Sequence, residues 1–135
     1  MAEQELWTEI LMQAQTRYRV LDEVLRVTKE IADALSRDDR VSVQMLLGMR
    51  QDEIQSLYEN EQRIYRLLEC ASKSEKEEML ELLQGDGENL EEDSFEKKKV
   101  GEIGRNIKRN REKIIDLDRA ISTKLAGKDS FYETK

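Results

Sequence analysis

The sequence predicts an all-α protein, an elongated antiparallel helical bundle or coiled coil of three long helices and one short helix. Three observations lead to this prediction. The 135 residues include no proline and 5% aromatic residues, which is typical of long helices because proline interrupts them. Apolar residues recur at steps of three and four over long stretches, as one face of a helix requires. The chain length suits one domain, which we place at residues 1–127, followed by a frayed tail at 128–135.

The first helix is predicted over residues 6–35, where apolar residues mark a single face. At about 1.5 Å per residue, it forms a rod of roughly 45 Å that needs other helices along its length. The polar stretch Ser36–Arg40 ends the pattern, and Asp38 or Asp39 offers a side-chain oxygen to cap a second helix. Because this link is short, the first two helices are expected to pack antiparallel.

The second helix is predicted to reach residue 71, and a short third helix to begin near residue 74. Ser72 with Glu75, and Ser74 with Glu77, both match the capping-box pattern at a helix start. The pair of glycines in 85–87 is expected to end this helix. Residues 88–94 are mostly acidic with a single apolar side chain, so we expect a mobile loop there.

The last long helix is predicted from Val100 to Leu125, with Gly127 as its C-cap. Gly101 and Gly104 lie inside the pattern, although each glycine costs about 1 kcal/mol relative to alanine in a helix. Three explanations remain open, namely a late or kinked helix start, a close helix crossing, and a deliberate weak point. We prefer the first of them.

The residue composition argues against most catalytic and metal chemistry. The chain has no histidine and one cysteine, Cys70, so the commonest general base and the usual metal ligands are missing. We therefore expect no enzyme, no cofactor and no metal. A net charge of −7 argues against nucleic acid as the main partner. No apolar run is long enough for a membrane span and no secretory leader is evident at the amino end, so a cytoplasmic protein is expected.

Charge is distributed unevenly in the second half of the chain. Residues 75–96 hold ten acids and one base, whereas residues 97–113 hold eight bases and two acids. The basic block is either a docking patch for an acidic partner or a solvated helix face balanced by its acidic neighbour. The aromatic residues Trp7, Tyr18, Tyr58 and Tyr65 are expected in the core, with their polar edges at its rim.

The isoleucine-rich face of the last helix is expected to be incompletely covered, because only a short helix and a loop precede it. An exposed groove or an oligomer contact would cover it; alternatively, the bundle closes on itself. The helix junction also resembles the start of the FlgN/FliT-type flagellar export chaperones. The resemblance lies in the pattern Leu21-x-x-Val24-Leu25, Thr28-x-x-Ile31, Ala34-Leu35, Asp38-Asp39, Val43, Leu46-Leu47, Arg50-Gln51, Ile54 and Leu57.

The resemblance implies a cytoplasmic chaperone that keeps a hook-associated or filament-cap subunit unpolymerised and ready for export. Its client would be the C-terminal helical segment of that subunit, bound in a groove that involves the last helices. The residues that the resemblance then assigns to partner binding are Ile107, Arg111, Ile114, Leu117, Ile121 and Leu125. The competing hypothesis is a structural coiled-coil protein that acts through homo-oligomerisation, for example as a homodimer, and has no client.

Overall fold

The computed structural model describes residues 2–86 and 94–133, with side-chain surroundings as far as residue 125. Within these ranges the chain forms four α-helices and no strand. They are α1 (Glu3–Ser36), α2 (Arg40–Glu69), α3 (Lys73–Leu83) and α4 (Phe95–Glu133). The predicted all-α class, with three long helices and one short one, is confirmed.

The link between α1 and α2 turns through a residue in the left-handed backbone region. Asp38 has a φ of 56°, a conformation that aspartate tolerates better than most residues. The neighbouring Asp39 is the N-cap of α2. Its carboxylate accepts hydrogen bonds from the backbone N–H of Ser42 at 3.1 Å and from the Ser42 hydroxyl at 2.6 Å, and these bonds hold the Asp39 pKa below its usual value. Of the two predicted caps, Asp39 is therefore the one used.

The short helix α3 begins at the first of its two predicted capping positions. The Ser72 hydroxyl accepts a hydrogen bond from the Glu75 backbone N–H at 3.3 Å, which satisfies one of the free donors at the helix start. After α3, the chain turns at Gly85, whose φ of 78° is open to glycine without steric cost.

Helix α4 differs from its prediction at both ends. It begins at Phe95, where the Ser94 hydroxyl accepts from the Lys97 backbone N–H at 3.2 Å, so a late helix start is the wrong explanation for the two glycines. The helix continues through Gly127 to Glu133, so the predicted C-cap is wrong and residues 128–133 are helical. Apart from Ser94, the loop predicted at 88–94 lies outside the described residues.

The core lies along α1, which packs against α2 on one side and against α4 on the other. Three clusters of buried side chains follow its length. Val100 of α4 lies in the cluster near the start of α1, and Ile121 packs against the cluster near its end, so α4 runs parallel to α1. Leu68 and Leu46 of α2 lie in the same two clusters in the reverse order, so α2 runs antiparallel. Helices α2 and α4 make few close backbone approaches to each other.

The end of α3 crosses α4 at Gly104. A Cβ atom at Gly104 would overlap the carbonyl oxygen of Leu82, and one at Gly85 would lie 2.8 Å from the carbonyl oxygen of Gly104. Only glycine lets two backbones approach this closely. Of the three explanations for the glycines, the close helix crossing is therefore the one seen at Gly104.

Replacing Gly104 by alanine is expected to destabilise the protein, although alanine is the better helix former. The overlap with Leu82 forces the α3 backbone to move, and overpacking of this kind costs roughly 1–3 kcal/mol. Gly48 on α2 is the matched control, because nothing lies within 4 Å of its Cβ position. Gly48→Ala should raise the free energy of unfolding by up to about 1 kcal/mol. Urea denaturation followed by circular dichroism measures both, and equal stability of Gly104→Ala and wild type would contradict the crossing.

Candidate functional site

Two of the predicted partner-binding residues lie in the core. Ile107 and Ile114 are 1% and 7% exposed, and they pack against Leu21, Val24 and Leu25 of α1. The expectation that the chain leaves this face of α4 uncovered is wrong at these two positions. The reason is that α4 runs alongside α1, whose apolar face is wide enough to cover α4 as well as α2.

The other four predicted residues differ in their access to solvent. Leu117 and Ile121 are partly buried, and they pack against the middle and last core clusters. Arg111 and Leu125 are exposed. The six residues therefore do not form one open surface, and whether any of them binds a partner stays a prediction.

The largest group of exposed apolar side chains lies on α2 and not on α4. Tyr58 and Tyr65, expected in the core, are each more than half exposed, and Tyr18 is 37% exposed. Trp7 is buried as expected, but its indole N–H is buried too and does not reach the rim. Helical positions advance by about 100° per residue, which places Tyr58 and Tyr65 on one strip of α2 about 40° wide together with two aliphatic residues. We call this strip the α2 stripe; its members are between 37% and 57% exposed, and they are Leu47, Ile54, Tyr58 and Tyr65.

The α2 stripe borders α4. Arg50 and Glu61 lie beside it on the α2 surface, between the stripe and the buried face. The Arg50 guanidinium donates to both carboxylate oxygens of Asp118 on α4, at 2.6 and 2.7 Å. The Glu61 carboxylate lies 3.7 Å from the guanidinium of Arg17 on α1. Since Arg50 lies beside the stripe and reaches α4, the stripe follows the edge of the gap between α2 and α4.

The facing edge of α4 carries both apolar and polar side chains. Arg111, Ile115, Asp118 and Ser122 share one side of the helix, and Ile115 is 42% exposed. Three of them, all except Arg111, line a shallow depression of about 590 Å³ together with Arg119 and Thr123, so the depression lies on α4 itself. We call the surface between the α2 stripe and these four residues the α2/α4 groove.

The Arg50–Asp118 pair joins the two walls of the α2/α4 groove. The hydrogen bonds that Arg50 donates to the Asp118 carboxylate raise the Arg50 pKa above its ordinary value, so the guanidinium is held in its charged form. Both side chains are partly open to solvent, and pairs in such positions typically contribute at most about 1 kcal/mol. The pair therefore bridges α2 and α4 but adds little to the stability of the fold.

Part of the basic block of α4 is balanced by acids from α3 and the turn after it. Lys97 lies 3.3 Å from the Glu78 carboxylate and 5.3 Å from the centre of the Trp7 ring. Lys108 donates to Asp86 at 2.8 Å. These contacts favour the interpretation in which neighbouring acids neutralise the block over the interpretation as an open docking patch.

The sequence contained partial signals for the groove. Arg50 and Glu61 interrupt the apolar face of α2. Arg50 forms an ion pair with Asp118 of α4, and Glu61 forms one with Arg17 of α1. The apolar pattern of α2 is also wider than the strip that α1 covers, and the excess is the α2 stripe. The buried Asn60 gave no signal. Its amide donates to the backbone oxygen of Gln13 at 2.9 Å and to its side-chain oxygen at 3.1 Å, which fixes the alignment of α1 and α2.

The described residues show neither a candidate metal site nor a candidate membrane span. Among residues 2–86 and 94–133, no group of three or more histidine, cysteine, aspartate and glutamate side chains could hold a metal ion. Cys70 is a free, exposed thiol. No helix in this part of the chain has both the length and the apolar character that a membrane crossing needs. In comparisons with known proteins, no family model, no curated protein and no solved structure matches the chain.

Two adjacent isoleucines test the burial pattern of α4. Ile114→Ala is expected to lower the free energy of unfolding by roughly 2–5 kcal/mol, because it opens a cavity in the core shared with α1. Ile115→Ala, one residue later on the exposed side, should change it by less than about 0.5 kcal/mol. Urea titration of both variants measures the difference. Equal effects would mean that α4 does not pack on α1 through Ile114.

Proposed function

We propose that the protein binds a helical segment of another protein along the α2/α4 groove. The observation that carries this proposal is the α2 stripe, four exposed apolar side chains at the edge of the gap between α2 and α4. We further propose that the protein is a cytoplasmic export chaperone. Its client would be a hook-associated or filament-cap subunit of the flagellum, held unpolymerised through its C-terminal segment.

The spacing of the α2 stripe suits a partner helix. Its members follow one another at intervals of seven, four and seven residues, close to the heptad spacing through which long helices pack. The stripe extends over about 27 Å of α2, enough for five turns of a bound helix. A helix in the groove would lie opposite α1 and complete a four-helix arrangement. Recognition of this kind uses apolar anchors on one face of the bound helix.

The resemblance to the FlgN/FliT-type chaperones supports the flagellar client. Leu47 and Ile54 belong to the pattern that carries the resemblance, and both lie on the α2 stripe. Two independent observations, the sequence pattern and the exposure of these side chains, thus point to the same surface. Among the predicted partner-binding residues, Arg111 lies on the opposite wall of the groove.

The same apolar exposure also favours the alternative function, a coiled-coil protein that acts by homo-oligomerisation. In that case, α2 stripes of two chains would pack together. Light scattering at micromolar concentration distinguishes the two functions. A monomer is expected for the chaperone, whereas a stable oligomer that Tyr58→Asp dissociates would support the structural protein.

Charged substitutions on the α2 stripe are expected to abolish client binding without unfolding the protein. Ile54→Asp and Tyr58→Asp should each weaken binding at least tenfold, or about 1.4 kcal/mol, because a carboxylate would have to be desolvated under the bound helix. Calorimetric titration with the C-terminal segments of the hook-associated and filament-cap subunits measures this. Circular dichroism should show unchanged helicity, since both positions are exposed.

Val41→Asp is the matched control for this experiment. Val41 is an apolar residue of the same helix and is 82% exposed, but it lies on a different face from the α2 stripe. Binding by Val41→Asp should equal that of wild type. If all three variants bind equally well, the client does not occupy the groove; if wild type binds neither segment, the flagellar client is wrong.

A further inference from the structure

Arg17 is a charged residue in the middle of the packing face of α1. Its side chain is 13% exposed, and its position on the helix falls between apolar neighbours that form the core. Its Nε–H is buried and has no acceptor. The nearest carboxylate, that of Glu61, is 3.7 Å away, beyond hydrogen-bonding distance. Within the described part of the chain, the guanidinium therefore makes one loose ion pair and no hydrogen bond.

This arrangement is energetically unfavourable for the free protein. Burial lowers the Arg17 pKa, but an arginine keeps its charge in proteins, so the cation is desolvated and not neutralised. Buried charges are normally paired and hydrogen-bonded because the loss of hydration is otherwise uncompensated. Glu61 compensates only in part, since its own side chain is 43% exposed.

Arg17 lies at the floor of the α2/α4 groove. The charged or polar groups that act on its guanidinium come from both walls, Glu61 and Tyr65 from α2 and Arg111 from α4. Arg111 is exposed and has no ion pair within the described residues. Among the described residues, Glu61 is thus the one carboxylate that acts on Arg17, whereas Arg111 adds a second cation. Because Arg50 and Asp118 neutralise each other, the floor of the groove has an excess of positive charge.

We propose that Arg17 and Arg111 bind an acidic side chain of the partner helix that occupies the α2/α4 groove. This proposal rests on the proposed function and specifies the chemistry of the partner. The bound helix presents apolar side chains to the α2 stripe and one aspartate or glutamate to Arg17, near the level of Tyr65. The guanidinium has five N–H donors in a rigid fork, which matches a carboxylate in a bidentate pair. The partner's carboxylate supplies the acceptors that the free chain lacks.

Arg17→Met tests the state of the free protein. Methionine keeps much of the volume and the apolar stem but removes the charge. If Arg17 is underpaired in the absence of a partner, the variant should unfold at a higher urea concentration than wild type, because replacing a poorly paired buried charge by an apolar side chain is stabilising. Arg63→Met, at an exposed arginine of α2, should leave the midpoint unchanged. A lower midpoint for Arg17→Met would mean that the arginine stabilises the fold, and would overturn the proposal.

Binding to paired peptides tests the recognition itself. The probes are the C-terminal segments of the hook-associated and filament-cap subunits, each with its acidic residues changed one at a time to the corresponding amides. Wild type should bind one of the amide-substituted peptides at least tenfold more weakly than it binds the original segment. Arg17→Met should bind the original segment at least tenfold more weakly and should no longer distinguish the two.

The outcomes separate this proposal from the proposed function. If wild type binds a segment and Arg17→Met binds it with equal affinity, the acidic recognition is wrong while the groove remains a binding site. If Tyr58→Asp alone weakens binding, the apolar stripe acts without the arginine, which also overturns the proposal. If wild type binds neither segment, the proposed function fails and the acidic recognition fails with it.

Discussion

The structure depends on the packing of α1 against two long helices at once. Its buried face serves α2 on one side and α4 on the other, so that all three core clusters contain α1 side chains. Because the other two long helices share one partner, they have little need to pack on each other. The gap between them is a direct consequence, and the exposed apolar stripe of α2 lies along it. A bundle with a fourth long helix would bury this surface; the fourth helix within residues 2–86 and 94–133 is the short α3, which packs mainly on α4.

Helix α4 contacts its neighbours in two different ways, through its backbone near its start and through a charged side chain further along. Near its start, Gly104 lets the α3 backbone come within contact distance, so no side chain separates the two elements. Further along, α2 and α4 come close at few points of the described chain, and the Arg50–Asp118 pair bridges them there. Tight packing makes the first region rigid. The second region is joined by long, partly exposed side chains.

Polar residues inside the bundle have different roles according to how well they are paired. Asn60 is fully buried, and its amide nitrogen donates two hydrogen bonds to Gln13 that align α1 with α2, whereas its side-chain oxygen has no partner among the described residues. Arg17 is also largely buried but has only a distant carboxylate. An unpaired neutral amide oxygen costs less than a buried and poorly paired charge. That difference is why the arginine, and not the asparagine, points to an interaction with another molecule.

The sequence by itself determined the number and order of the helices and two of their caps, because these depend on local chemistry, whereas both ends of α4 differ from the prediction. Apolar periodicity gave the three long helices and the short one, and the caps at Asp39 and Ser72 follow from hydrogen bonds within one turn. Only the tertiary structure decided which helix faces are covered. The burial of Ile107 and Ile114 and the exposure of Tyr58 and Tyr65 reverse the expectation from the sequence. Periodicity shows that a helix has an apolar face, but the width of that face and the order of helices around α1 decide how much of it meets another helix, and these depend on contacts between residues far apart in the chain.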